Sequence, residues 1–556
     1  MQAKINNHYP AKSVEFEDNK LTPRQTLFLW TGLITGFLML LWFPLAKSIW
    51  TDEAISIAWG KSPFLDILLG RATSADALPL HPLLIHITHL LFGDSLAAFR
   101  VASALPSAIS LYFVYLIGRR FSNKVGLLAL WLCALSPGLI LYDRMSRYHG
   151  LTALLCTMSV WAALKLADTG RLKDAVLYSV ITWLMLMSYF LSVFALAAQV
   201  GCLLLFVNRE PVKRVRWLFV GALCAAGLAF VPYLLAGLAK ASSSGMADIH
   251  VEDASMSLGL AGFIRRLALP VYVFCVGETL YPWTWFASIP GVIAALTAYF
   301  VGFGHVIRSR RVEVMIPAVC LAVLLLSAIA TSGKLGGGQT VGSMAKRVSF
   351  AIPLFCVTLS VGVYSLLGSF SLWRRRAGAV LGAVLVLVSC YSVFNYWTGQ
   401  QFLNPNYTAP WNEAIGAMQK VQPLSNEVAV FSRGEYALAY YLASQGLDQK
   451  GAYIDTNTTD EKTMIKGLTS HPSRYVWIVG RDRGDRISVD AFMRMSDYLK
   501  SHYSQVGTYG VMPRSATESK YLEKFLKRPA APHYIWMELY DTEQAPKTAS
   551  VQGKLP

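Results

Sequence analysis

Two adjacent acids stand in the run Trp50-Thr51-Asp52-Glu53-Ala54, directly behind the first long apolar stretch of the chain. Carboxylates at a bilayer surface sit poorly beside anionic headgroups, so the pair needs a physical reason. One reason is structural, since acids favour a helix N-terminus. The other is chemical: a carboxylate facing a cavity can accept the proton of an attacking hydroxyl. Neighbours at i and i+1 do not share a helix face, so one acid is expected to do chemistry and the other to support it.

Two further segments carry charge between apolar runs. In Tyr142-Asp143-Arg144-Met145-Ser146-Arg147-Tyr148-His149 three charges fall within five residues. Arg144 and Tyr148 read as interfacial anchors that keep a polar tip in water. Asp143 and Arg147, four apart, could share a face and pair, or Arg147 could grip a phosphate with its planar donor fork. The third segment is the glycine-rich Gly333-Lys334-Leu335-Gly336-Gly337-Gly338 with Lys346-Arg347 behind it. Consecutive glycines allow close backbone approach to a ligand and equally mark a loose loop. His81-Pro82 opens a short apolar segment; the spacing of His81, His86 and His89 is no zinc signature.

These residues must be held by the elements around them. Of the 556 residues 54% are apolar and 15% charged, too few charges for an ordinary soluble enzyme. About 20 apolar residues cross the ~30 Å hydrocarbon core. Candidate spans are 25–46, 101–118, 125–142, 149–167, 217–239, 286–307, 313–332, 348–368 and 377–398. The 34 uncharged residues between Asp174 and Arg209 are too many for one span and divide into two short ones near Tyr189–Ser192, for about eleven in all. His81–Gly93 and Ala268–Gly277 are too short to cross, and are expected to lie in the interface or re-enter.

Charge gives the direction. With residues 1–24 in the cytoplasm, every inside loop is basic, among them Arg119–Lys124, Asn208–Arg216 and Trp373–Arg376. The segments Thr51–Arg100, Tyr142–Arg147 and Gly333–Arg347 then face outward, as does the tail from Gly399. That tail is expected to form a soluble α/β domain over 399–556. Its helix-like pieces are Trp411–Lys420, Glu435–Ser444 and Val489–His502; its strand-like pieces are Glu427–Ser432, Tyr475–Gly480, Ser504–Val511 and His533–Tyr540. The tail holds 18 Lys and Arg against 16 Asp and Glu, so nearly all of the +17 net charge belongs to the membrane part 25–398. This is positive-inside patterning, and it gives no reason to expect nucleic acid as a partner. All eight cysteines lie in apolar segments, so no disulfide framework or Cys-based metal site is expected.

The order of these motifs resembles the C-type (GT-C) membrane glycosyltransferases, which use polyprenyl-phosphate sugars as donors. The Asp52-Glu53 pair after the first span looks like that family's signature. His81-Pro82-Leu83-Leu84 resembles its His-Pro-Pro-Leu. Gly93-Asp94 with Arg100-Val101-Ala102-Ser103 is similar to its Gly-Asp … Arg-x-x-Ser, and Leu135-Ser136-Pro137 with Tyr142 and Arg147 to its Leu-Ser-Pro … Tyr-x-x-x-x-Arg. Lys346-Arg347 ahead of Pro353 looks like the Arg-Tyr … Pro heading a late span, and Trp411 fits the opening of the outer domain. The likeness covers residues 25–170 well and the rest loosely. It looks nearest to the lipid A aminoarabinose and galacturonic acid transferases and the protein O-mannosyltransferases. There are departures: His81-Pro82-Leu83-Leu84 lacks the second proline, and protein mannosyltransferases carry an acid shortly after Ser-Arg-Tyr where this chain has His149-Gly150-Leu151-Thr152. A second carboxylate is then Asp143 or absent.

The resemblance implies a polytopic α-helical protein of the bacterial inner membrane with an inverting sugar-transfer site at its outer face. It implies Asp52 as base or acceptor-orienting carboxylate, with Glu53 in support. It places His81, Arg147 and Arg347 at the donor phosphate. Lys346 adds a cation there, and Tyr142 and Tyr148 are the nearby substrate-facing candidates. No cofactor is certain; the donor is a lipid-linked sugar, and Asp52 with Glu53 could hold a divalent ion. The acceptor would be an envelope glycolipid, glycan or protein. A transporter or flippase is the main rival, set against sparse charge inside the spans and polar groups gathered on one side.

Overall fold

The computed structural model describes residues 20–41, 47–72, 78–206, 212–243, 259–309, 312–332, 344–424, 428–432, 435–444, 453–455, 473–481, 486–511 and 535–544. The glycine run Gly333–Gly338 and nearly all of the N-terminal segment lie outside them.

Every candidate span falls on a helix. In chain order these helices are α1 (Pro23–Leu41), α5 (Leu96–Arg119), the pair α6 (Asn123–Ala134) and α7 (Pro137–Asp143), α8 (His149–Thr169), α9 (Leu172–Ser188), α10 (Val193–Phe206), α11 (Val212–Ser243), α13 (Trp285–Ser309), α14 (Met315–Ser332), the pair α15 (Met344–Val348) and α16 (Ile352–Leu367), and α17 (Leu372–Thr398). Among the described residues eight helices are long and apolar enough to cross a membrane. The pair α6–α7, bent by 53°, makes a ninth. The expected count of eleven exceeds this because α9 and α10, with 17 and 14 residues, are shorter than the usual crossing length. The chain is a multi-pass membrane protein.

Local sequence explains the breaks. Pro137 can start a helix but has no N–H to continue one, and the Ser136 hydroxyl accepts from the Leu139 N–H, so α7 begins anew. Tyr189 adopts an extended backbone (φ −163°, ψ 133°) that ends α9. Ser95 and Ser122 cap α5 and α6 through their hydroxyls. Between the spans lie α2 (Thr51–Gly60), α3 (Phe64–Leu68) and α4 (Leu80–Phe92), the last on the short stretch expected at His81. The second short stretch, Ala268–Gly277, lies on the C-terminal half of an 18-residue helix, α12 (Gly259–Val276), that extends back through Arg265 and Arg266 and is not one of the eight helices long and apolar enough to cross.

The bundle packs by close approach where side chains are small. At the crossing of α13 and α16, a methyl at Gly302 would overlap the Thr358 carbonyl and one at Gly362 the Ala298 carbonyl.

In the tail, β1 (Val428–Ser432), β2 (Tyr453–Asp455), β3 (Tyr475–Arg481), β4 (Ser504–Val511) and β5 (Ile535–Asp541) form one sheet in the order β2-β1-β3-β5-β4. β1 pairs parallel with β2 and β3, while β5 runs antiparallel to both β3 and β4. The central strands are buried on both faces, so they read as continuous apolar runs. On one face Phe431, Val476 and Ile478 pack with Met495 and Leu499 of α20 (Arg486–His502). On the other, Val428, Val430, Trp477 and Leu539 share a core with Trp411 of α18 (Trp411–Val421) and Leu438 of α19 (Tyr436–Ala443). Ile49, Ile57, Ile85 and Phe99, from the first loop and its flanking helices, belong to that same core. The sheet is thus packed directly on the segment that carries Asp52. Ile49 N–H donates to the Tyr441 hydroxyl (3.0 Å) and Asn412 N–H to Ser48 Oγ (3.2 Å).

The glycine crossing predicts that Gly362→Ala destabilises the bundle by about 1–3 kcal/mol through overpacking. Thermal unfolding in detergent measures it; an unchanged midpoint would show that the helices can part without cost.

Candidate active site

The site starts from the first turn of α2. Glu53, at its third position, is fully buried and accepts two 2.9 Å hydrogen bonds from the Arg100 guanidinium of α5. Its carboxylate also accepts the Ser146 N–H at 2.8 Å and the Trp50 N–H at 3.4 Å. Arg100 reaches on to the carbonyls of Lys47 and Ser48. One buried pair therefore ties together the chain entering α2, the start of α5 and the turn between α7 and α8.

Asp52, one position earlier, points elsewhere, with 29% of its side chain exposed. Lys346 Nζ of α15 lies 2.8 Å from Asp52 Oδ2, and an Arg147 guanidinium nitrogen lies 3.7 Å from the same oxygen. Arg147 also donates to the Asp52 carbonyl (3.1 Å) and to Ser56 Oγ (2.9 Å). Lys346 sits over the Trp50 ring at 4.3 Å. Burial alone would raise the Asp52 carboxyl pKa, but Lys346 and Arg147 outweigh it and hold the carboxyl well below the usual carboxylate range. Arg347, half-buried, is within electrostatic reach of both Asp52 and Tyr189.

The remaining candidates are placed around this ion cluster. His81 is buried with Nε2 3.0 Å from Ser103 Oγ; that hydroxyl also accepts the Arg147 N–H and donates to the Arg147 carbonyl. Burial, with Arg147 nearby, lowers the His81 pKa to about 3, so its imidazole is neutral near pH 7. It would meet a phosphate as a hydrogen-bonding group, not as a cation. Asp143 does not pair with Arg147. It is fully buried, and one oxygen accepts from Ser107 Oγ at 2.5 Å while the other has no partner among the described residues. The turn Arg144–Tyr148 breaks the i, i+4 relation that would have joined the two. Tyr142 is buried and donates its hydroxyl to Glu278. Tyr148 stacks on Tyr189 at 4.1 Å and lies 5.2 Å from the Arg147 guanidinium. Arg144 lies over the Trp397 ring at 4.5 Å and donates to the Met39 carbonyl.

Two titratable groups at this site were not singled out in the sequence. Glu278 served only as the boundary of an apolar stretch; burial pushes its carboxyl up to about 7 against the Tyr142 hydroxyl and Lys346, which pull it down. His149 marked only a missing acid; it is buried at the head of α8. No local pattern distinguishes either one, because their partners come from distant segments.

The paired acids are engaged by cations of the chain. Each carboxylate is committed to a cation, and among the described residues no three His, Cys, Asp or Glu side chains converge as a metal site would need.

The clamp predicts that Arg100→Met leaves Glu53 buried and uncompensated, costing roughly 3–5 kcal/mol. The double substitution Arg100→Met/Glu53→Gln should recover part of that loss. Thermal unfolding in detergent reads both; a single variant as stable as the wild type would remove the clamp from the account.

Residues 76–235 match the family model of dolichyl-phosphate-mannose-protein mannosyltransferases. No curated protein sequence matches the chain. Its fold is similar to that of ArnT from Cupriavidus metallidurans bound to undecaprenyl phosphate, with TM-score 0.55, 11% identity, and 94% of this chain and 98% of that one covered. The apo form of that ArnT gives TM-score 0.56 at 12% identity, with 94% of this chain and 99% of the other covered. The Archaeoglobus fulgidus oligosaccharyltransferase in its apo form gives TM-score 0.51 at 12% identity, covering 87% of this chain and 73% of that one. The membrane helices and packed tail thus share one architecture with these proteins, and the chain has the GT-C fold.

Proposed function

We propose that the chain is an inverting glycosyltransferase. It takes a sugar from a polyprenyl-phosphate donor and transfers it to a hydroxyl of a cell-envelope acceptor at the outer face of the bacterial inner membrane. In this reading the N-terminus is cytoplasmic and the tail periplasmic. The carrying observation is the meeting of two cations and one acid from the three charged segments, with Lys346 and Arg147 both on Asp52 Oδ2.

The chemistry needs a base for the nucleophile and positive charge for the departing phosphate. The acceptor O–H gives its proton to Asp52 as its oxygen bonds to the anomeric carbon. The bond from that carbon to the phosphate oxygen breaks, and the charge on the leaving polyprenyl phosphate falls to Lys346 and Arg147, with Arg347 and His81 nearby. A single in-line displacement inverts the anomeric centre. Ion-paired as it stands, Asp52 is a weak base, because an effective base has its pKa near the working pH. A donor phosphate that draws Lys346 and Arg147 toward itself would weaken both pairs and raise the basicity of Asp52 once the leaving group is in place.

The match of residues 76–235 to a protein mannosyltransferase model supports a second acceptor class, a protein hydroxyl. Comparing envelope glycolipids and glycoproteins by mass, with and without the gene, separates the two.

Asp52→Asn should abolish sugar transfer, by at least about 100-fold, while undecaprenyl phosphate binds as well or more tightly because two cations are released. Transfer at wild-type rate would end the proposal, and intact lipid transport with no transfer in either protein would favour the transporter. Lys346→Gln should raise the Asp52 pKa. Since the base must be ionised, the acidic limb of the pH–rate profile should move to higher pH; an unmoved limb would show that Asp52 is not the group titrating.

A further inference from the structure

His149 opens the 21-residue helix α8 and is almost fully buried, 1% exposed. Its Nε2 has no hydrogen-bond partner among the described residues. A buried polar nitrogen left unpaired is costly, so such an atom in a well-packed site calls for a ligand. The ring is held on two sides, with centroids 4.5 Å from Tyr148 and 5.8 Å from Tyr142; Tyr148 is itself stacked on Tyr189. Helix α8 has no side-chain cap, since Tyr148 occupies the N-cap position without bonding the first turn. Its first N–H groups and the positive end of its dipole therefore lie where His149 sits. The next residue, Gly150, is pressed so closely on the Ser103 carbonyl that a side chain there would collide, which pins this helix end against α5.

The surroundings carry excess positive charge. His149 is within electrostatic reach of the cations Arg147 and Lys346 and of neutral His81, with Asp52 the one acid among them. We infer that His149 is a ligand of the donor, its Nε2–H donating to a phosphate oxygen of the polyprenyl phosphate beside Lys346 and Arg147. This inference rests on the donor reading above and adds a residue that the sequence motifs did not assign to the donor. An imidazole with the proton on Nε2 is a donor at that atom and suits an oxyanion already facing a helix N-terminus.

The test uses the full chain in nanodiscs and measures binding of undecaprenyl phosphate, of undecaprenol and of inorganic phosphate. His149→Phe keeps the ring packing and removes the nitrogen; His149→Gln replaces the donor with an amide. Phe should weaken undecaprenyl phosphate binding about tenfold, Gln should restore most of it, and undecaprenol should bind all three proteins alike. The thermal midpoint without lipid should be no lower in the Phe variant than in the wild type, because the nitrogen removed is unpaired there. Competition by millimolar inorganic phosphate would show that the anion alone occupies the site, and its absence that the lipid tail is required; in both cases the Phe variant must lose the phosphate-dependent part. Should His149→Phe fail to fold, His149→Ala serves in its place. Unchanged affinity in the Phe variant, or equal loss for undecaprenol, overturns the inference and means that a buried water alone satisfies Nε2. A wild type that binds no undecaprenyl phosphate overturns the donor reading itself, and this inference with it.

Discussion

The site depends on one oxygen atom. Asp52 Oδ2 is shared by Lys346 and Arg147, and no two of these three residues are neighbours in sequence. An arrangement of this kind is expensive to assemble, because each charge must leave water and be met by its partner in the right place. The fold meets that demand with a separate, fully buried pair. Arg100 and Glu53 fix the start of α2, and Ser146 N–H joins the Arg147 turn to the same carboxylate. The adjacent acids face different partners: Glu53 is buried against Arg100, and Asp52 remains partly exposed against Lys346 and Arg147.

The electrostatic state of the cluster bears on its reactivity. Two cations on one acid leave the resting site positively charged, with Asp52 ionised and His81 neutral. A site of that charge favours an anionic group. Glu278 is the counterweight, a buried carboxyl whose pKa lies near neutrality and which is engaged by Tyr142. The charges thus sit in two layers, an open one around Asp52 and a closed one behind it.

Much of this architecture was legible in the residues because its causes are local. Apolar length placed all the span helices, and the Tyr189 break followed from a stretch too long for one crossing. In the tail the periodicity found four of the five strands; β2, with three residues, was too short to carry a pattern. That Asp52 and Glu53 face different partners followed from helix geometry. What sequence could not supply were contacts between distant segments. Asp143 and Arg147 have helical spacing yet sit on either side of a turn, and Asp143 bonds Ser107 instead. Glu278 and His149 acquire their character only from burial among residues far away in the chain.

The shared core beneath the sheet bears on biogenesis. Ile49, Ile57 and Phe99 emerge early in synthesis, whereas Trp477 and Leu539, which cover them, come near the end of the chain. Until translation is almost complete, the loop bearing Asp52 has an uncovered apolar face. A ribosome that stops short would leave a product with its membrane helices but with the apolar face of the first loop bare, open to recognition by chaperones and proteases.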